Sequence, residues 1–202
     1  MEIIVAITGA SGATYGLRLL RELLKRGDDV YLIISPPGFI VLREEAGLSL
    51  EGEPDERGAA VKRFIGVESG RLHYVPYDDL LSPLSSGSSL KRLMIVCPSS
   101  MGTIARIAGG VSGNLIERAA DCILKEEGRL ILVPRETPLS AIHLENMLKL
   151  SRMGVSIVPA MPAFYTKPET VDDIVDFVVG KVLDAAGIEN DLYTRWSGES
   201  PS

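Results

Sequence analysis

The apolar positions fall in short runs separated by amphipathic stretches. Residues 1–8 carry Ile3, Ile4, Val5, Ala6 and Ile7 in succession, which predicts a buried strand. The run breaks at Gly9 and Gly12 into a helical pattern over residues 13–26, with Leu17, Leu20 and Leu24 on one face. The alternation continues with a strand at 30–34, a helix at 39–45, a strand at 92–97, helices at 102–108 and 114–127, and a strand at 130–134. A helix at 141–153, a strand at 155–159 and a helix at 171–186 complete it. Apolar strands alternating with helices predict a parallel sheet covered on both faces: an α/β, doubly wound, Rossmann-like or flavodoxin-like three-layer sandwich. Residues 51–66 interrupt the rhythm with charge and predict one short helix. Residues 78–89 read as a loop rich in Ser, Pro and Gly. Neither is long enough for a domain, so one domain is expected over 1–196, followed by a fraying polar tail at 197–202.

Composition narrows the function classes. The 202 residues are 46% hydrophobic and 24% charged with a formal charge of -6, which fits a soluble globular protein and argues against nucleic acid as partner. No apolar run approaches a membrane span and residues 1–8 lack a basic leader, so a cytoplasmic protein without membrane association is expected. Two cysteines, Cys97 and Cys122, and two histidines, His73 and His143, leave no material for a four-ligand zinc site or a disulfide framework. Both histidines read as structural or surface residues, and Cys97, on a buried strand, as inert.

In open parallel sheets ligands bind beyond the carboxyl ends of the strands, so the chemistry is sought in the loops that follow them. After the first strand come Thr8, Gly9, Ala10, Ser11, Gly12 and Ala13, where glycines allow close approach and a helix start offers unpaired amides to an anion. A tight connection is the ordinary account. The glycines miss the dinucleotide spacing, the second strand ends in Ser35 rather than an acid, no Tyr has a Lys four residues on, and no Gly-Lys-Ser/Thr triplet exists. After the next apolar strand, Pro98, Ser99, Ser100, Met101, Gly102 and Thr103 form a second small turn, equally readable as an N-cap. Arg135 and Glu136 follow another strand, and sequence neighbours of this kind are expected to face different partners. On the helix after Gly113, Arg118, Cys122 and Lys125 lie opposite the stripe of Leu115, Ala119, Ile123 and Leu124, a wedge that is a solvated face unless it joins Lys167 and Lys181 near Phe164 and Tyr165.

The turn Thr8-Gly-Ala-Ser-Gly-Ala with Tyr15-Gly16, then Pro98-Ser-Ser-Met-Gly-Thr, Asn114-Leu-Ile-Glu-Arg-Ala-Ala-Asp, Val133-Pro-Arg-Glu-Thr-Pro-Leu, His143-Leu-Glu-Asn-Met, Pro159-Ala-Met-Pro-Ala-Phe-Tyr and Arg195-Trp196 occur in the order of one family. By these motifs, from Ile3 to Trp196, the chain resembles the UbiX flavin prenyltransferases. The resemblance implies a metal-independent enzyme joining the dimethylallyl group of dimethylallyl phosphate to N5 and C6 of reduced FMN. The product, prenylated FMN, serves UbiD-type decarboxylases.

Carried over by position, the resemblance assigns FMN to Gly9, Ala10, Ser11, Ser35, Ser100, Met101, Gly102, Thr103 and Arg135. It assigns dimethylallyl phosphate to Tyr165 and Lys181, joined around the phosphate by Arg118, Lys125 and Arg135, with Ser85, Ser86 and Gly87 lining the prenyl pocket. Glu45 and Glu136 match the active-site carboxylates; Glu45 is placed by its spacing from Ser35, with Glu44 beside it. Departing phosphate or Glu136 would deliver a proton to the alkene, Glu45 with Ser11 would relay protons near N5, and Trp196 would either face a cation or anchor the C-terminus. The family also implies a homo-oligomer, a dodecamer with its site shared between subunits. Two rivals are a flavoprotein that decarboxylates a peptidyl cysteine, whose Pro-x-Met-Asn run is absent here, and a non-catalytic FMN carrier.

Overall fold

The computed structural model describes residues 1–88 and 93–196. Among these, six strands form one parallel sheet in the order β3-β2-β1-β4-β5-β6. The strands are β1 (Glu2–Ile7), β2 (Asp29–Ile34), β3 (Arg71–Tyr74), β4 (Leu93–Ser99), β5 (Arg129–Pro134) and β6 (Ser156–Ile157). Seven helices cover them: α1 (Ala13–Lys25), α2 (Pro36–Ala46), α3 (Pro54–Ile65), α4 (Met101–Ala108), α5 (Leu115–Lys125), α6 (Ala141–Arg152) and α7 (Val171–Ala186).

The apolar runs become central strands because both of their faces are covered. Ile3, Val5 and Ile7 pack on one side with α1, α2, α3 and α7, whereas Ile4 and Ala6 pack on the other with α4, α5 and α6. Successive side chains of a strand point to opposite faces, so an unbroken apolar run is what a doubly covered strand requires. Strand order reverses between β1 and β4, which opens a crevice at the carboxyl edge there.

The structure departs from the sequence expectations at several boundaries. β3 is an edge strand that the pattern did not reveal, since only Tyr74 of its four residues is buried. The helix expected from residue 39 starts at Pro36, because Ser35 caps it and proline is tolerated in a first turn. β6 shrinks to two residues paired with Ile131 and Leu132. The loop at 78–88 contains one 3-10 turn, Pro83–Ser85, while the expected strand start at 92, Ser89 and the tail at 197–202 lie outside the described residues. Among the described residues no helix is long and apolar enough to cross a membrane.

Candidate active site

Three helices, α1, α2 and α4, begin at the carboxyl edge around the β1/β4 crevice. Thr8, fully buried at the end of β1, ties two of the turns together. Its hydroxyl donates to the Pro98 carbonyl at 2.9 Å and accepts the Ser100 amide at 2.8 Å. Sequence reading quoted Thr8 in its turn but gave it no role; a hydroxyl ending an apolar strand was the available signal. Glycine is required where the layers touch: a Cβ on Gly9 would stand 2.4 Å from Pro37 Cβ, and one on Gly16 would stand 2.5 Å from the Cys97 carbonyl oxygen.

The expectation of unpaired amides at the start of α1 is not met. Glu45 Oε2 accepts the Gly12 and Ala13 amides at 2.7 and 3.0 Å, so the protein's own carboxylate occupies that helix N-terminus. Burial opposes ionisation of Glu45, but hydrogen bonds from Ser11, Gly12 and Ala13 and the charge of Arg135 outweigh it and hold the carboxyl below its ordinary value. Glu44 turns away and pairs with Arg43 at 2.8 Å in solvent. At α2 the first two positions are prolines without N–H groups, and Gly38 N–H donates to Ser35 Oγ at 3.2 Å. Only α4 keeps an open start: Ser100 Oγ accepts the Thr103 amide at 3.3 Å, whereas Met101 and Gly102 have no intrahelical acceptor. An anion at this edge is therefore best met by α4, with the Ser35 hydroxyl across the crevice.

Arg135 and Glu136 do face different partners. Arg135 Nε donates to the Ser11 carbonyl at 3.2 Å, while Glu136 Oε1 accepts the Thr137 amide at 3.1 Å. Together with Met147, Pro159, Ala160 and Met161 they line a cleft beside β5 and β6.

The remaining candidates form two separate groups. Arg118 Nε and Cys122 Sγ both donate to the Ser85 carbonyl, at 3.0 and 3.1 Å, and Gly87 lies against Lys125, whose Nζ would stand 3.0 Å from a Cβ there. The Ser85, Ser86, Gly87 loop thus covers part of this wedge: Cys122 is buried, while the Arg118 and Lys125 side chains stay partly exposed. Tyr165 and Lys181 lie on the opposite face of the sheet, where Tyr165 packs edge-on against Phe177 of α7 at 6.0 Å and against Trp196 at 5.6 Å. Lys125 also lies at the wrong end of the sheet to meet Arg135. A turn in which Gly128 N–H donates to the Ile123 carbonyl leads straight from α5 into β5, and the strand from Arg129 to Arg135 spans roughly 20 Å. Within one chain, Arg118 and Lys125 therefore stand apart from Tyr165 and Lys181, and Lys125 stands apart from Arg135.

A flavin mononucleotide fits what the crevice offers. The open α4 start with Ser35 suits a phosphate monoester, the glycine turn lets a flat ring approach backbone, and Ser99 Oγ, fully buried at this edge, is left without a partner. Among the described residues no group of three His, Cys, Asp or Glu side chains is arranged to hold a metal ion.

The family model described as Flavoprotein matches residues 1–183. A protein of Halalkalibacterium halodurans named flavin prenyltransferase UbiX is 53% identical over 195 residues, covering 96% of this chain and 93% of its own. The chain belongs to the UbiX flavin prenyltransferases. The UbiX of Pseudomonas aeruginosa is 46% identical with the same coverage. Among solved structures, the UbiX described as AnUbiX (PadA1), in complex with FMN and dimethylallyl pyrophosphate, superposes with a TM-score of 0.86 at 37% identity, covering 98% of both chains. A dodecameric FMN-dependent UbiX-like decarboxylase from Escherichia coli O157:H7 gives 0.87 at 44%, covering 98% of this chain and all of the other. The peptidyl-cysteine decarboxylase EpiD, at 17% identity, a TM-score of 0.55 and 81% coverage of this chain, shares the fold alone with this UbiX member.

Proposed function

We propose that this protein transfers the dimethylallyl group of dimethylallyl phosphate to N5 and C6 of reduced FMN, without a metal ion, and releases prenylated FMN to a UbiD-type decarboxylase. The observation that carries the reading is the near-full-length identity to flavin prenyltransferases, in a chain whose β1/β4 crevice holds a carboxylate, an arginine and one open helix start. The flavin supplies the nucleophilic ring positions. The protein's contribution is binding, charge and proton placement.

The Met101 and Gly102 amides with Ser35, Ser100 and Thr103 would hold the FMN phosphate, and Gly9, Ala10 and Ser11 would receive its ring system. Arg135, anchored on the Ser11 carbonyl, would offer it a fixed cation. An allylic monophosphate leaves poorly, so its departure needs preorganised positive charge in a water-poor site, where one well-placed donor contributes about 3 kcal/mol. Arg118 and Lys125 with Ser86 and Gly87 supply that charge from one subunit, and Tyr165 with Lys181 from another. The opposite faces of the sheet on which α5 and α7 pack support this division, as does the dodecameric state of the E. coli relative. Glu45, held below its ordinary pKa, is ionised at neutral pH and receives a proton rather than giving one, with Ser11 beside it. Glu136 would handle the proton on the prenyl side, a reading supported by its position on the cleft at β5.

Anaerobic incubation of the oligomer with reduced FMN and dimethylallyl phosphate, with no metal added, should yield flavin heavier by one dimethylallyl unit in mass spectrometry. Tyr165→Phe and Lys181→Ala should suppress that product with FMN still bound. Unmodified flavin from wild-type protein shown to bind it would return the carrier reading.

A further inference from the structure

The last described residues fold back along α7 and are fastened there by one carboxylate. Asp184 accepts the Tyr193 hydroxyl at 2.6 Å, Arg195 through both terminal nitrogens at 2.7 and 3.1 Å, and Asn190 Nδ2 at 2.9 Å. Lys181 Nζ stands 3.8 Å from the same carboxylate and 5.9 Å from the centre of the Tyr193 ring. Phe177, Lys181 and Asp184 share one face of the helix by their spacing. Between them Gly180 has no side chain, and a Cβ there would stand 2.5 and 2.8 Å from carbons of the Tyr193 ring, so the ring lies directly on the helix backbone. The aromatic contacts then run onward: Tyr193 on Phe177 at 5.0 Å, Phe177 on Tyr165, and Tyr165 on Trp196.

Four N–H and O–H groups thus converge on one carboxylate. Arg195 over the Tyr193 ring at 5.4 Å adds a further clamp. The ionised state is secure: the hydrogen bond from Arg195 outweighs the cost of burial and, with Tyr193 and Asn190, holds Asp184 at about 2, while burial and the same carboxylate push Tyr193 up to about 12. The network ends on the two side chains of this face that the transfer reading uses, Tyr165 and Lys181, and on Trp196 beside Tyr165.

We propose that Asp184 is a positioning residue. Its carboxylate, with the bare backbone at Gly180, fastens residues 190–196 to α7 and thereby sets where Tyr165, Trp196 and Lys181 stand against the prenyl phosphate. Its kinetic consequence rests on the prenyl-transfer reading; the fastening itself does not.

Trp196 is the only tryptophan in the chain; it is 61% exposed but rests edge-on against Tyr165, so its mobility, read as fluorescence anisotropy, reports the fastening. Two variants of the intact oligomer test it by independent routes. Asp184→Asn removes the charge, and Gly180→Ala puts a methyl group where the Tyr193 ring lies while favouring the helix. Both should lower the anisotropy of Trp196 and lower kcat/KM for dimethylallyl phosphate by about tenfold to a hundredfold, the scale of a misplaced reacting group, with FMN affinity unchanged. Wild-type anisotropy in both variants overturns the fastening, whatever the activity. Lowered anisotropy with unchanged kcat/KM overturns the positioning role and leaves a structural clasp. Wild-type protein that binds FMN and transfers no prenyl group overturns the function reading and the kinetic half together, and anisotropy still decides the fastening.

Discussion

Replacing Thr8 by valine preserves shape and removes the bridge between the two turns that open the crevice. Thr8 is fully buried, so the consequences can be worked through bond by bond. The Pro98 carbonyl loses the hydroxyl but keeps the Thr8 backbone N–H at 3.2 Å, so that side costs about 1 kcal/mol. The Ser100 amide loses its acceptor at a half-buried position, which costs about 1 to 2 kcal/mol more. Valine should therefore destabilise by about 2 to 3 kcal/mol. Serine keeps both hydrogen bonds and loses one buried methyl group, for about 1 kcal/mol. Urea unfolding at a fixed protomer concentration reads the difference as a shift in midpoint with unchanged slope. Because Ser100 sets the start of α4, FMN affinity should fall in the valine variant and hold in the serine variant. Serine proving costlier than valine would mean that methyl packing, not the hydroxyl bridge, governs this position, and the argument would fail.

Glu45→Gln should destabilise the protein at pH 7 by only about 1 kcal/mol, because the two charge-assisted bonds are screened at an exposed side chain. The folded pKa lies below the ordinary 4.5, so this contribution is complete above that value and disappears as pH falls through the folded pKa. Urea midpoints should converge for wild type and variant in acid, and a gap independent of pH would refute the ionic account; Glu44→Gln should have no effect at any pH. Gly16→Ala should lower the melting temperature despite alanine's helix propensity. Its Cβ would meet the Cys97 carbonyl at 2.5 Å and Ile7 at 3.1 Å, overpacking that costs about 1 to 3 kcal/mol, or some 2–4 °C for each. A higher melting temperature would show that α1 has room to move.

The sequence by itself determined the layered fold and the edge at which chemistry is possible. Short, β-branched apolar runs bounded by glycine, such as Ile3 to Ile7, predict doubly covered strands, and the small residues after them, Gly9 to Ser11 and Ser100 to Thr103, mark turns that open helices. These signals are local, because period and turn chemistry act over a few residues. The family motifs added candidate roles to those turns. β3 escaped because four residues of which only Tyr74 is buried carry too little period to stand out.

Only the tertiary structure decided which groups meet. Glu45 reaches the start of α1 across more than thirty residues, and it closes an anion site that the turn by itself advertised. Ser85 accepts from Arg118 and Cys122 and covers part of a face that reads as solvated. Arg118 and Lys125 stand apart from Tyr165 and Lys181 because their helices cover opposite faces of the sheet, and Asp184 becomes a hub only when residues 190–196 return along α7. Such meetings depend on strand order and on which face each helix covers. Those follow from packing the whole chain at once, so no window of sequence contains them.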